Sequence, residues 1–279
     1  MSAVDELVQG SYDLHAHMSP DPRSERRHDA LQLALKAKEQ GMGGLVMKTH
    51  DYSTAPLVWA LSQFVKDIDL FGSIALNSAV GGINPEAAEV AARLGSKILW
   101  MPTHTAKGDS RGAEHKGVGV FDEDDRLIPE VYDVLDIVRQ YDMALGTGHL
   151  GHKESFAVID AAVEKGIKKI IYTHAILSQV GVPLSKEEQL DAAGRGVFIE
   201  HCAYSLMPTG ERMAPQTMAD AIKTVGAAHC ILSSDLGQYF TPSAPEGFRL
   251  LIVAMLRSGI SSSDVELMVK TNPRQLLGL

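Results

Sequence analysis

The sequence predicts an α/β protein, a parallel (β/α)8 barrel of the TIM type in a single domain. Short apolar segments alternate with helical ones eight times from end to end. Each apolar segment runs out in polar residues, and seven of the 11 histidines fall at or just past such an end. No linker, repeat or low-complexity tract divides the 279 residues, a length such barrels reach as one domain. Alternation alone describes either a closed barrel or a doubly wound sheet. In a closed parallel barrel the polar strand ends meet at one mouth.

The first strand is expected at Tyr12–His17, with a helix at Asp29–Gln40. A second strand at Gly44–His50 leads to a helix at Pro56–Asp67, and a third at Leu70–Asn77 leads to Pro85–Leu94. Between them "VGGINPEA" makes a Gly-assisted turn into a Pro-started helix. The fourth strand, Lys97–Thr103, is followed by the long connection Thr105–Arg126 and the helix Pro129–Tyr141. Within that connection "GVGVFDEDDRLI" reads as a hairpin with an acidic turn, and a loop this long beyond a strand's C-terminal end suggests a lid. Then come Met143–His149 with Glu154–Lys165, Lys169–His174 with Lys186–Ala193, and Gly196–His201 with Pro215–Val225. Cys230–Asp235 with Pro245–Ser258 completes the set. The tail "TNPRQLLGL" supplies Asn272 as a cap, Pro273 at the first helical position and a short apolar helix.

Composition narrows the partners. With 26 Lys+Arg against 35 Asp+Glu, the formal charge of -9 argues against nucleic acid or an anionic membrane and leaves a small-molecule substrate. A homo-oligomer stays open. No apolar run is long enough to span a bilayer, and the first ten residues contain no apolar stretch of a secretory signal. Cys202 is expected just past one strand and Cys230 at the start of the next, roughly 15–20 Å apart at opposite ends of the barrel. Two reduced thiols suit a cytoplasmic protein.

Strand parity selects the inward residues, because alternate side chains share a face. His15 and His17 in "DLHAHMS" are two apart and can address one ion, and Lys48 and His50 in "VMKTHD" share a face in the same way. Asp235 is in phase with Ser233 and Ile231. On the seventh strand, "VFIEHCA", parity admits Glu200 or His201 but not both, and His201 is the preferred inward residue. So many imidazoles at one mouth would each need partners for two nitrogens, or cost about 1–3 kcal/mol in desolvation. A shared cation satisfies several at once.

With these residues in place, the chain resembles the amidohydrolase superfamily. H-x-H ends the first strand (His15, His17), single histidines end the fifth and sixth (His149, His174), Asp235 ends the eighth, and the tail "NPRQLLGL" is also similar. The resemblance implies a metal-dependent hydrolase with those five residues as metal ligands. Dinuclear members bridge their metals with a carboxylated lysine or a glutamate from the fourth strand. Here that strand ends "LWMPTHTA" and offers His104 instead. Lys48 is the inward lysine that could take the bridging role. As an ammonium it would be repelled by adjacent cations. It is therefore a carbamate, a neutral amine, or turned toward a carboxylate such as Asp235 or Glu200, and one metal or two per chain stays open.

An imidazole-rich site with a carboxylate suits zinc, and manganese or iron would also fit. Asp235 is the expected base, with His174 or His201 orienting the substrate carbonyl. His50, His104, Asn77 and Arg23 are expected substrate contacts. Arg26, Arg27, Lys107, Arg111 and Lys116 ring the mouth as a solvated rim. His28, His115, His152 and His229 are read as ordinary surface histidines. The reaction class is hydrolysis of an amide, lactam, lactone or related ester. The alternatives are a metal-dependent decarboxylase or isomerase on the same scaffold, a phosphoesterase of the PHP type, and a non-catalytic metal- or ligand-binding protein.

Overall fold

The computed structural model describes residues 2–107, 109 and 117–279. Arg111, His115 and Lys116, assigned to the rim or surface from the sequence, lie outside the described residues.

Eight parallel strands pair in sequence order, which is the predicted topology. They are β1 (Tyr12–His17), β2 (Gly44–Lys48), β3 (Asp69–Ala75), β4 (Ser96–Trp100), β5 (Ala144–Gly146), β6 (Ile170–Tyr172), β7 (Phe198–Cys202) and β8 (Cys230–Ser233). The seam between β8 and β1 closes just above the strand ends. There Asp235 N donates to His15 O at 2.7 Å and His17 N to Leu236 O at 2.9 Å. Buried Asp13 reinforces the seam by accepting from Ser234 N at 2.9 Å and His15 N at 3.1 Å.

Inside the barrel Leu14, Val46, Ile98, Trp100, Ile171 and Ile231 pack as one cluster, which Leu276 and Leu277 of the last helix join. Trp100 is fully buried, and Gly146 makes room for it, since a Cβ there would lie 2.1 Å from the indole. This single tryptophan fills the floor beneath the mouth.

Several strands are shorter than the sequence suggests. β2, β5 and β6 stop at Lys48, Gly146 and Tyr172, so His50, His149 and His174 stand on the turns beyond them. The cause is local: Gly148 has φ of 64° with Met101 O and Pro102 O where a Cβ would sit, and His174 has φ of 55°. Left-handed residues end a strand and turn the chain beyond it in a new direction.

The outer helices run from α1 (Ala3–Val8) through α2 (Ala30–Glu39), α3 (Ala55–Ser62), α4 (Pro85–Arg93) and α5 (Pro129–Gln140). They continue with α6 (His152–Glu164), α7 (Lys186–Gly194), α8 (Pro215–Val225), α9 (Ala244–Arg257), α10 (Ser262–Glu266) and α11 (Asn272–Leu277). Asp29, Ser185 and Ser243 form capping boxes, and proline occupies the first turn of α3, α4, α5, α8, α9 and α11. α1 and α10 are not evident in the sequence, being too short to show a helical period. Asn272 is not the cap expected of it. It lies inside α11, and its amide donates to Ala227 O at 2.9 Å and Cys230 O at 2.7 Å, tying the C-terminus to the base of β8. The acidic hairpin reduces to one antiparallel bridge, Phe121 to Leu127, around a turn in which Asp122 accepts from Arg126 N. Cys202 ends β7, Cys230 begins β8, and both are free and buried. Among the described residues no helix is long and apolar enough to cross a membrane.

Candidate metal centre

β1 delivers two imidazoles to one oxygen. His15 Nε2 lies 3.1 Å and His17 Nε2 3.0 Å from Asp235 Oδ1, while His174 Nε2 lies 3.6 Å from Oδ2. A register shift in β1 between Asp13 and Ala16 makes this possible. Leu14 joins the barrel interior, yet His15 also reaches inward, with its ring 5.1 Å from that of Trp100. Asp235 has φ of 49° and His174 φ of 55°. Two of the converging residues thus hold an unfavoured backbone conformation, as functional sites often do.

β2 supplies the next layer, as parity predicts. Lys48 is fully buried, with Nζ 3.0 Å from His15 Nε2 and 5.2 Å from the Trp100 ring centre. It forms no direct ion pair with Asp235 or Glu200, so the expected carboxylate contact is absent at close range. The His50 ring stacks on that of His17 at 4.8 Å, and His50 Nδ1 is 2.8 Å from Thr103 Oγ1. Across the mouth His149 stands with its ring 5.3 Å from that of His174, and its Nδ1 lies 2.7 Å from Asp109 Oδ2. His104 completes this side, its ring 3.8 Å from that of His50. All five of His15, His17, His149, His174 and Asp235 therefore converge. The cavity above them holds about 370 Å³, with Arg23, Arg26 and Gln238 among its lining residues.

Two sequence expectations are corrected. Glu200, not His201, is the inward residue of β7. Its Oε1 and Oε2 lie 3.2 and 3.3 Å from His15 Nδ1. Parity explains it, since Phe198 belongs to the interior cluster and Glu200 is in phase with it. His201 points away from the mouth, is not among the residues lining the cavity, and both its nitrogens are buried with no hydrogen-bond partner among the described residues. It is removed from the orienting role given to it. Asn77 is likewise no substrate contact. Its amide donates to His50 O and Thr103 Oγ1, and its carbonyl accepts from Thr103 N, Thr105 N and Thr105 Oγ1. Every polar atom is spent joining the loops after β2, β3 and β4. Arg23 does reach the rim, but its guanidinium is held by Asp51, with Nε 2.8 and 2.9 Å from the two carboxylate oxygens and Nη2 2.6 Å from Oδ1. Asp109 does not stand out in the sequence. It sits in an irregular loop where no periodicity marks it.

The electrostatics separate the imidazoles. Burial pushes the His17 and His50 rings well below the usual histidine range and lowers His174 to about 3, so all three are neutral with lone pairs to offer. Burial and Lys48 also press on His15, but the Asp235 and Glu200 carboxylates outweigh them and raise it to about 9. Burial alone would raise Asp235, yet contact with His15, His17 and His174 holds it well below the carboxylate range. Burial lowers Lys48 to about 8.

These residues fit a divalent transition metal. His15, His174 and Asp235 offer ligand atoms within 4.8 Å of one another. His17 Nδ1 and His174 Nδ1 are buried without a hydrogen-bond partner among the described residues. The neutral imidazoles of His17 and His174 beside an ionised carboxylate are the donor set such a cation takes, and His15, protonated without it, would release its proton on binding.

The fold and this mouth place the chain among (β/α)8 barrels with a histidine-rich centre at the C-terminal strand ends, and comparison with known proteins agrees. A family profile described as "Family of unknown function (DUF6282)" matches residues 10–200, and the chain belongs to that family. A search of curated protein sequences finds no significant match. An amidohydrolase from Pseudomonas aeruginosa superposes with a TM-score of 0.69 at 15% identity over 99% of this chain and 98% of that one. The dipeptidase AC, a metallopeptidase, gives a TM-score of 0.68 at 14% identity, covering 97% and 98%. A 2,6-dihydroxybenzoate decarboxylase from Rhizobium gives 0.59 at 14% identity, covering 97% and 99%. At these identities the likeness is one of fold, and the parallel barrel read from the sequence is shared with all three.

Proposed function

We propose that the chain is a metal-dependent hydrolase acting on an amide, lactam, lactone or related ester of a small molecule. The observation that carries this reading is the meeting of His15, His17 and His174 on the Asp235 carboxylate at the floor of a mouth also lined by His149. These five residues would hold one or two divalent metals, zinc by donor type, with manganese or iron as substitutes. A metal bound there supplies Lewis acidity and brings the pKa of a water toward about 7. Asp235 would take the proton of that water and return it to the leaving group. Its Oδ2, whose contact with His174 Nε2 is 3.6 Å against 3.0 and 3.1 Å at Oδ1, is the more loosely held oxygen for the task. His174 would orient the scissile carbonyl. Glu200 holds His15 through Nδ1 and Asp109 holds His149 through Nδ1, which leaves each Nε2 to face the centre.

Lys48 is the residue through which one metal or two would be decided. A neutral amine, favoured by its lowered pKa, is the form that carboxylation requires. The structural likeness to a decarboxylase, together with Arg23 at the rim, favours decarboxylation of an anionic substrate as the second reading. Assay of the metal-reconstituted protein against amides, lactams, lactones and esters separates the two. Turnover that a chelator abolishes and metal restores is expected. CO₂ release from aromatic acids with no turnover of that panel would replace hydrolysis by decarboxylation.

A further inference from the structure

A second cavity of about 630 Å³ opens beside the mouth, between the chain segments beyond β5 and β6. It is larger than the mouth itself, at about 370 Å³, and the two share His149, His174, Leu177 and Val180 as a common wall. The two compartments differ in character. Arg23, Arg26, Lys48 and Asp235 line the mouth. Among the described residues, no lysine, arginine, aspartate or glutamate lines the neighbouring cavity, whose wall includes Leu150, Tyr172, Leu177, Val180 and Val182. His152, on its edge, is occupied by Val182 O and Glu188. Leu150, Tyr172, Leu177 and Val180 are nearly or fully buried, so the wall is packed in place.

We infer that this cavity is a substrate subsite for an uncharged apolar group, aliphatic or aromatic, attached beside the bond that is cleaved. The inference rests on the hydrolytic reading above and adds to it the substrate class. Continuity carries it: a molecule whose reacting carbonyl lies at His174 and Asp235 has two directions in which to extend. Toward β1 and β2 it meets paired charges. Toward the segment after β6 it meets Leu177, Val180 and Val182, interrupted by Thr173 and Ser178 but by no charged side chain, and burying each methylene against them on binding is favourable. A charged substituent placed there would meet no opposite charge among the described lining residues. The favoured substrate therefore carries its polar half in the mouth and its apolar half in the neighbouring cavity.

Gly181 provides a clean variant. It lines the cavity, its backbone is extended at φ 160° and ψ -163°, and a Cβ there meets nothing within 4 Å. Gly181→Trp therefore adds bulk without backbone strain and replaces none of the proposed ligands. Val182 is exposed on the same wall, so Val182→Asp adds a charge at little cost to folding. The probes are straight-chain hydroxamates from acetohydroxamate to octanohydroxamate, titrated calorimetrically into the zinc-loaded full-length protein. Affinity should rise about fourfold per added methylene over the first several carbons. Both variants should bind acetohydroxamate as the parent does and lose most of the chain-length dependence. Acetohydroxamate binding with no gain from longer chains overturns the subsite, and so does a gain that both variants leave intact. Failure of acetohydroxamate itself to bind, with no zinc retained, removes the metal reading and the subsite with it.

Discussion

Glu200 and His201 are neighbours on β7, both buried, with opposite surroundings. The Glu200 carboxylate faces His15 within a cluster that continues through Lys48 and Asp235 to the other mouth histidines. The His201 ring lies on the other face of the strand, with no charged group contributing to its pKa, which burial alone lowers to about 4. A buried polar group at the mouth is one of a set whose members hold one another in place. On the outer wall it is solitary, and replacing it by hydrocarbon removes a desolvation cost. Burial of a titratable residue does not by itself mark function; contact with other such residues does.

The largest effect should come from the centre of the mouth. Asp235→Asn preserves shape but cannot accept a proton, and turnover should fall by roughly 10²–10⁴ with the circular dichroism spectrum unchanged. Near-normal turnover in the folded variant would take the base role away from Asp235. One contact further out, Glu200→Gln should weaken metal binding by about 10–100-fold, because His15 exchanges a carboxylate partner for a weaker, uncharged acceptor. Competition against a chelator of known affinity measures this, and His201→Leu should leave the same constant unmoved. Equal effects from the two substitutions would erase the contrast between the faces of β7.

A smaller, stepwise change is expected at Lys48. If its carbamate bridges two metals, Lys48→Ala should lower the metal content from about two to about one per chain, with partial restoration by short carboxylic acids. An unchanged ratio would leave Lys48 as an amine beside His15. The smallest effect belongs to the wall. His201 has a folded-state pKa depressed below its unfolded value, so its contribution to stability is present above about pH 6.5 and is lost as pH falls toward 4. His201→Leu should therefore raise Tm by a few degrees near pH 5 and much less at pH 8. A Tm gain independent of pH would show that protonation of His201 is not what acid exploits.

Most of the fold was legible because its signals are local. Proline at helix starts and eight apolar strands ending in polar residues need no long-range information. The H-x-H pair and Asp235 were legible for the same reason, since spacing of two on a strand sets direction. Glu200 was not separable from His201 because "VFIEHCA" is apolar in both phases: Val197 and Ile199 on one, Phe198 and Cys202 on the other. Only pairing in the barrel settles which phase is inward. Asn77 was misassigned because a buried amide at a strand end looks the same whether it meets substrate or backbone. Its role shows only once Thr103 and Thr105 are seen to donate to it. Asp109 lies in a loop whose path no periodicity predicts, and its contact with His149 is fixed by that path.

The central claim, that the mouth is a metal centre, is tested most directly by counting metal. Protein purified without chelator and reconstituted with zinc should retain at least about one equivalent per chain through gel filtration, and Asp235→Ala with His15→Ala should lose it. Because the ligands come from strands far apart in sequence, the bound metal should also raise Tm. Less than about a tenth of an equivalent after reconstitution would contradict the account and leave the converging histidines without the cation that their arrangement implies.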